Sequence, residues 1–171
     1  RKNFDLHTII GFYICSLALI LAFTGSVMSY NWMKYVLYKS MGGDKEAAFI
    51  IPENIGSPKQ DEDVLPIDLL IPKLQAASPN AESFELHYPT GPDASIYVEV
   101  SNSSGLYYDS DFRFFDQHTL EEIETPSIYG KYENAKVADK ILRMNYDIHI
   151  GAIGGIAGKI IAFLVSLLTA S

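Results

Sequence analysis

Residues 6–33 read LHTIIGFYICSLALILAFTGSVMSYNWM, 28 residues without one Asp, Glu, Lys or Arg. A bilayer core is crossed by about 20 apolar residues in a helix. Residues 8–30 are therefore expected to form a transmembrane helix. A buried helix of a soluble protein would be shorter and would carry a polar stripe. A secretory signal would have a shorter apolar run and a small-x-small cleavage site. Here the run ends in Tyr30, Trp32 and Lys34, the residue types of a membrane–water interface. The single cysteine, Cys15, lies inside the run and has no intrachain disulfide partner.

A second apolar run covers residues 148–171, interrupted by Lys159. From 160 to the last residue it supplies roughly 18 Å of helix, short of a core of about 30 Å. The chain is expected to stop inside a second membrane helix. It starts at Arg1 rather than Met, so both ends read as trimmed.

Charge is unevenly distributed. Residues 1–40 hold four basic and one acidic residue, 41–130 four basic and seventeen acidic, and 131–171 five basic and three acidic. An acidic middle between basic, membrane-facing ends argues against nucleic-acid binding. It suits a domain outside the cytoplasm, with Arg1 and Lys2 on the inner side.

The region between the apolar runs divides by pattern. Residues 31–40 extend the first helix or lie along the interface, and 41–63 read as a linker, with Pro52, Pro58 and the acidic run Asp61-Glu62-Asp63. Residues 66–77 (PIDLLIPKLQAA) carry apolar positions at helical spacing; Pro66 fits a first turn, whereas Pro72 should weaken or kink the helix. Three strand-like runs follow, 83–88, 94–100 and 106–115, the last followed by the turn residues 116–119 and then 120–124 (LEEIE); the alternation, clearest in the first two, is that of antiparallel strands with one buried face. Residues 127–147 return to the membrane, and Lys131, Lys136, Lys140 and Arg143 face either headgroups or solvent. The expected class is an α+β membrane protein: two transmembrane helices flank a small domain, at 64–126, of one helix on an antiparallel sheet.

Two histidines stand beside glycines. His7 is followed by Gly11 one turn on, and His149 by Gly151, Gly154, Gly155 and Gly158. Small residues four apart let helices pack closely. They also leave room for a large flat group, with the histidine ligating its metal, as in haem. Both readings stand at this level. If the two helices run antiparallel, His7 lies near the inner face and His149 near the outer one. One haem cannot then be bound by both, and a second ligand must come from elsewhere. Other chemistry is sparse. Residues 154–159 lack the phosphate-loop pattern, His87 and His118 have no metal-ligand spacing with acids, and Asp61–Asp63 lacks a calcium-loop pattern. No Ser-His-Asp arrangement or carboxylate pair supports catalysis within the chain. Asn102-Ser103-Ser104 matches a glycosylation sequon.

With these motifs in place, the chain resembles the PepSY-associated transmembrane proteins. Their first helix opens with a His, a Gly four residues on, and a later Thr-Gly, matched here by His7, Gly11, Thr24 and Gly25. The later segment "LHxGxxGGxxGK" is matched by His149, Gly151, Gly154, Gly155, Gly158 and Lys159. FDQHTLEEI (115–123) is similar to the strand–turn "DPxTGEV", but Leu120 replaces its Gly and Gln117 its Pro, so a different turn is expected. The resemblance implies a bacterial inner-membrane protein with a cytoplasmic N-terminus and a periplasmic PepSY domain. Some such proteins reduce ferric siderophores through haem b, which makes His7 and His149 candidate haem ligands, with Gly11, Gly151 and Gly155 allowing close approach or helix packing. Membrane lipids and further membrane helices or subunits are the implied partners. The resemblance equally allows a non-catalytic accessory subunit of a larger membrane complex, or a protease-binding role for the PepSY module.

Overall fold

The computed structural model describes residues 2–56 and 66–169. The first apolar run is a single helix, α1 (Lys2–Ser29). It stops where Tyr30 turns extended, with φ −110° and ψ 110°, and α2 (Asn31–Ser40) follows. Two stretches are long and apolar enough to cross a membrane, Gly11–Ser29 and Ala152–Thr169. Only 11% of each is buried within the chain. A core helix of a soluble protein would show the reverse, because exposing rings such as Phe12, Phe23 and Phe163 is penalised in water but not in lipid.

The domain between them begins with α3 (Pro66–Ala77), which runs unbroken through Pro72. Four antiparallel strands follow in the order β1 (Ser83–His87), β2 (Ile96–Ser101), β3 (Asp111–Phe115) and β4 (Glu122–Ile123). The expected strand at 106–115 shortens to its second half, since Ser103 to Ser110 are taken up in turns. Leu70 and Leu74 of α3 pack on Ile96, Val98, Val100 and Phe115, the alternating face of the sheet. Each such buried side chain contributes about 1.5–3 kcal/mol.

The expectation of one buried face is corrected: the opposite face is buried too. Tyr97, Phe112 and Phe114 line it, and Phe49 packs its ring edge-on against Tyr97 and Tyr129, with centroids 5.0 and 5.5 Å away. Phe49 belongs to the expected linker at 41–63. Its described part is instead pinned to the domain. Glu46 bridges Ser127, and Glu53 bridges Ala94. Period-two patterning shows one apolar set clearly and cannot reveal that an incoming loop will cover the other. The acidic run at 61–63 lies outside the described residues.

The turn after β3 is closed by Asp116, 1% exposed. Its carboxylate accepts N–H bonds from Ile55 (2.7 Å), Gly56 (2.6 Å), His118 (2.8 Å) and Thr119 (2.9 Å). Burial alone would push this carboxyl up. The N–H bonds from Gly56, Thr119, His118 and Ile55 outweigh it and hold the group well below the usual carboxylate range. Leu120 takes φ +57°, the left-handed conformation that favours glycine. A leucine thus occupies a backbone conformation that favours glycine, and its side chain packs beside the α3 core.

The chain then returns through α4 (Val137–His149), whose Ala138, Asp139, Leu142, Arg143, Asn145 and Asp147 are buried. Asp139 accepts the Lys136 N–H at 3.0 Å, half of a capping box. It also accepts the Tyr38 hydroxyl (2.6 Å) and pairs with Lys45 (3.2 Å), which ties α2 to α4. Burial first, then the Asp139 carboxylate, pushes the Tyr38 phenol up to about 12. The basic residues of this segment all turn to protein groups. Lys131 binds Glu122, Lys136 binds Asp44, Lys140 lies over the Tyr132 ring, and Arg143 is 1% exposed.

Candidate functional site

His149 is the last residue of α4, and the glycines after it serve first to end that helix. The Ile150 N–H still reaches Tyr146 O at 3.0 Å. Gly151 then takes φ +74°, the left-handed conformation with which helices commonly terminate. A short 3₁₀ turn (Ala152–Gly154) leads to Gly155, φ +60°, where α5 (Gly155–Thr169) starts. The reversal brings Gly151 and Gly158 together so closely that a Cβ on either would run into the other's carbonyl. The small-residue pattern thus belongs largely to a helix–turn–helix corner rather than to one continuous helix. The second apolar run, expected from 148, begins inside α4 and turns over residues 151–155, where the span Ala152–Thr169 starts.

This corner places the His149 ring against α1. Its Nδ1 lies 2.9 Å from Thr24 Oγ1. The ring covers Gly25, where a Cβ would stand 3.0 Å from Cε1. Thr24 Oγ1 also lies 2.9 Å from Ile20 O and 3.1 Å from Leu21 O. The hydroxyl has one proton. If it went to the imidazole, the threonine would make only that bond. If it goes to the Ile20 carbonyl, in the i−4 manner of helical threonines, Nδ1 carries the ring proton and donates to Oγ1, so two bonds form. The hydrogen-bond network therefore assigns the proton to Nδ1 and leaves the Nε2 lone pair free. Nε2 has no hydrogen-bond partner among the described residues. Asn145, one turn before His149, donates to Thr24 O at 3.0 Å and locks α4 onto α1 at the same level.

The other sequence candidates lie elsewhere. Gly11 stands on α1 with nothing within 4 Å of where a Cβ would be, and Gly154 and Gly155 are equally open. Gly151 is closed by Gly158. His7 is on α1, 17 residues before Thr24, which is about 25 Å of rise; its side chain lies outside the described residues. His87 stacks on Tyr97 and lies 3.2 Å from Glu85. Among the described residues no three His, Cys, Asp or Glu side chains converge as a metal site. Thr24, Gly25 and Asn145 are the site residues that periodicity alone did not single out. The Thr-Gly pair was visible only as part of a motif, and Asn145 carried no signal, because its partner is a backbone carbonyl 121 positions away.

The imidazole seat suits a metal-bound group in one respect. A histidine ligand characteristically donates its other ring N–H to a fixed acceptor, which sets the tautomer and orients the ring. Thr24 supplies that acceptor, and Nε2 is the free donor atom. A haem iron, if bound here, would be held by His149 through Nε2.

Two apolar spans carrying an α+β domain whose single sheet lies under one helix define a membrane protein of the PepSY kind. The family model for the PepSY-associated TM region matches residues 1–171, and the chain belongs to that family. Among curated proteins none matches it.

Proposed function

We propose that this membrane PepSY protein takes part in haem-linked electron transfer in iron uptake, acting on ferric siderophores. It would sit in the bacterial inner membrane with its N-terminus cytoplasmic and its domain periplasmic. The observation that supports this reading is the Thr24–His149 contact, with Nδ1 2.9 Å from Oγ1: with the proton on Nδ1, the Nε2 lone pair is left to ligate a metal. A bound haem b would supply one-electron redox chemistry. His149 would hold the iron through Nε2. Thr24 keeps the proton on Nδ1, Gly25 leaves room for the Cε1 edge of the ring against α1, and Asn145 holds α4 in register. His7, about 25 Å away along α1, would serve a different haem.

The full-length protein, purified in detergent, is expected to show Soret absorbance. His149→Ala should remove at least half of it. Thr24→Val keeps the side-chain shape and removes the acceptor, and should weaken haem binding by about tenfold or more. A wild-type protein without Soret absorbance overturns the reading. The open faces at Gly11, Gly154 and Gly155 favour a second reading, an accessory subunit that packs its helices against a larger complex. Gly11→Leu should then abolish co-purification of that complex.

A further inference from the structure

A cavity of about 420 Å³ opens where α1 and α2 meet α4 and the loop before β3. Val27, Met28 and Leu142 form an apolar wall; Tyr107, Tyr129 and Tyr146 line the domain side; Lys34, Arg143 and Asn145 supply polar groups. None of the lining residues is acidic, although residues 41–130 hold seventeen acids against four bases. Two of its lining residues, Met28 and Tyr146, are 40% and 41% exposed. Met28 is in the last turn of the membrane span, and the exposed Tyr30 and Trp32 follow it. This is the depth of lipid headgroups.

Arg143 is the unusual member. It is 1% exposed. Its Nη atoms reach the carbonyls of Gly130 and Ser110, and the guanidinium lies 4.7 Å from the Phe112 ring centroid. Its Nε has no hydrogen-bond partner among the described residues, and none of their carboxylates is within ion-pair distance of it. Guanidinium stays charged in proteins. A buried charge is normally paired, since leaving it unpaired is costly. Carbonyls and a ring face compensate in part. An anion in the cavity would complete the set, with Lys34 as a second cation at the rim. We propose that this cavity binds the phosphodiester of an anionic membrane phospholipid. The phosphate would lie between Arg143 and Lys34, the headgroup oxygens beside Asn145 and the tyrosines, and an acyl chain along Val27, Met28 and the apolar surface of α1.

Native mass spectrometry on the delipidated full-length protein tests this with three probes: phosphatidylglycerol, a diacylglycerol with the same chains, and inorganic phosphate. About one phosphatidylglycerol per chain should be retained at activation energies that strip diacylglycerol. Lys34→Glu, on a half-exposed helix position, and Arg143→Met should each lower that retention at least tenfold. If Arg143→Met does not fold, Lys34→Glu alone decides, with circular dichroism as the folding control. Retention unchanged by Lys34→Glu shows annular lipid only and overturns the proposal. Equal retention of diacylglycerol shows an apolar groove without a phosphate site and overturns it. Displacement of the lipid by millimolar inorganic phosphate assigns the site to a soluble anion and equally overturns it.

Discussion

Asp116 and Leu120 show how two residues can define one turn. Asp116 has a depressed folded-state pKa, so its contribution is fully present above the ordinary carboxylate range and is lost as pH falls through and below it. Acid unfolding of the domain, followed by circular dichroism, should begin as pH drops below about 4. Asp116→Asn has too few acceptor positions for four N–H donors; it should cost about 2–3 kcal/mol and flatten the pH dependence. Leu120 carries a left-handed backbone that costs a non-glycine residue about 1–2 kcal/mol. Leu120→Ala and Leu120→Gly both lose the packed side chain, but only glycine relieves the backbone. The glycine variant should therefore be the more stable of the two by about 1 kcal/mol in urea titrations. Equal stability would show that the turn is not under this constraint.

At the scale of elements, the α4–α5 corner separates glycines that look alike in the sequence. Gly151 combines φ +74° with direct approach to Gly158, whereas Gly154 has open space around it and no positive φ. Gly151→Ala should lower the thermal midpoint in detergent by an amount equivalent to at least about 2 kcal/mol. Gly154→Ala should leave it within about 0.5 kcal/mol. The motif was legible as glycine-rich and small-residue. Which glycine is required depends on a contact between residues seven apart that exists only once the chain has turned. The same applies to α3. Its apolar spacing was readable, and it persists through Pro72 because Leu70 and Leu74 are anchored in the sheet core, against a local penalty of about 3 kcal/mol.

Across the whole molecule, the membrane helices and the domain are joined through a few buried polar contacts: Tyr38 to Asp139 and Lys45, and His149 and Asn145 to Thr24. Tyr38 has a folded-state pKa raised to about 12, so its contribution is complete below its ordinary value near 10 and is lost as pH rises through about 12. Tyr38→Phe removes a bond to a carboxylate and should cost about 1.5–3 kcal/mol below pH 10. It should also remove any stability loss that is centred between pH 10 and 12, as read by thermal midpoints across that range. A wild-type midpoint flat over the interval would show that the phenol does not link α2 to α4.

Composition and spacing alone showed the two apolar spans, the helix at 66–77, the strand-like runs after it and the two His-Gly motifs. Each rests on local composition or on a period of two or 3.6, which a single chain displays without its partners. The tertiary structure alone decided that Phe49 closes the second sheet face, that Arg143 turns into a cavity, and that Thr24 and Gly25 receive the His149 ring. These are contacts between residues 13 to 125 positions apart. Nothing local favours them, since a threonine hydroxyl in a helix is satisfied by its own backbone until another element is packed beside it.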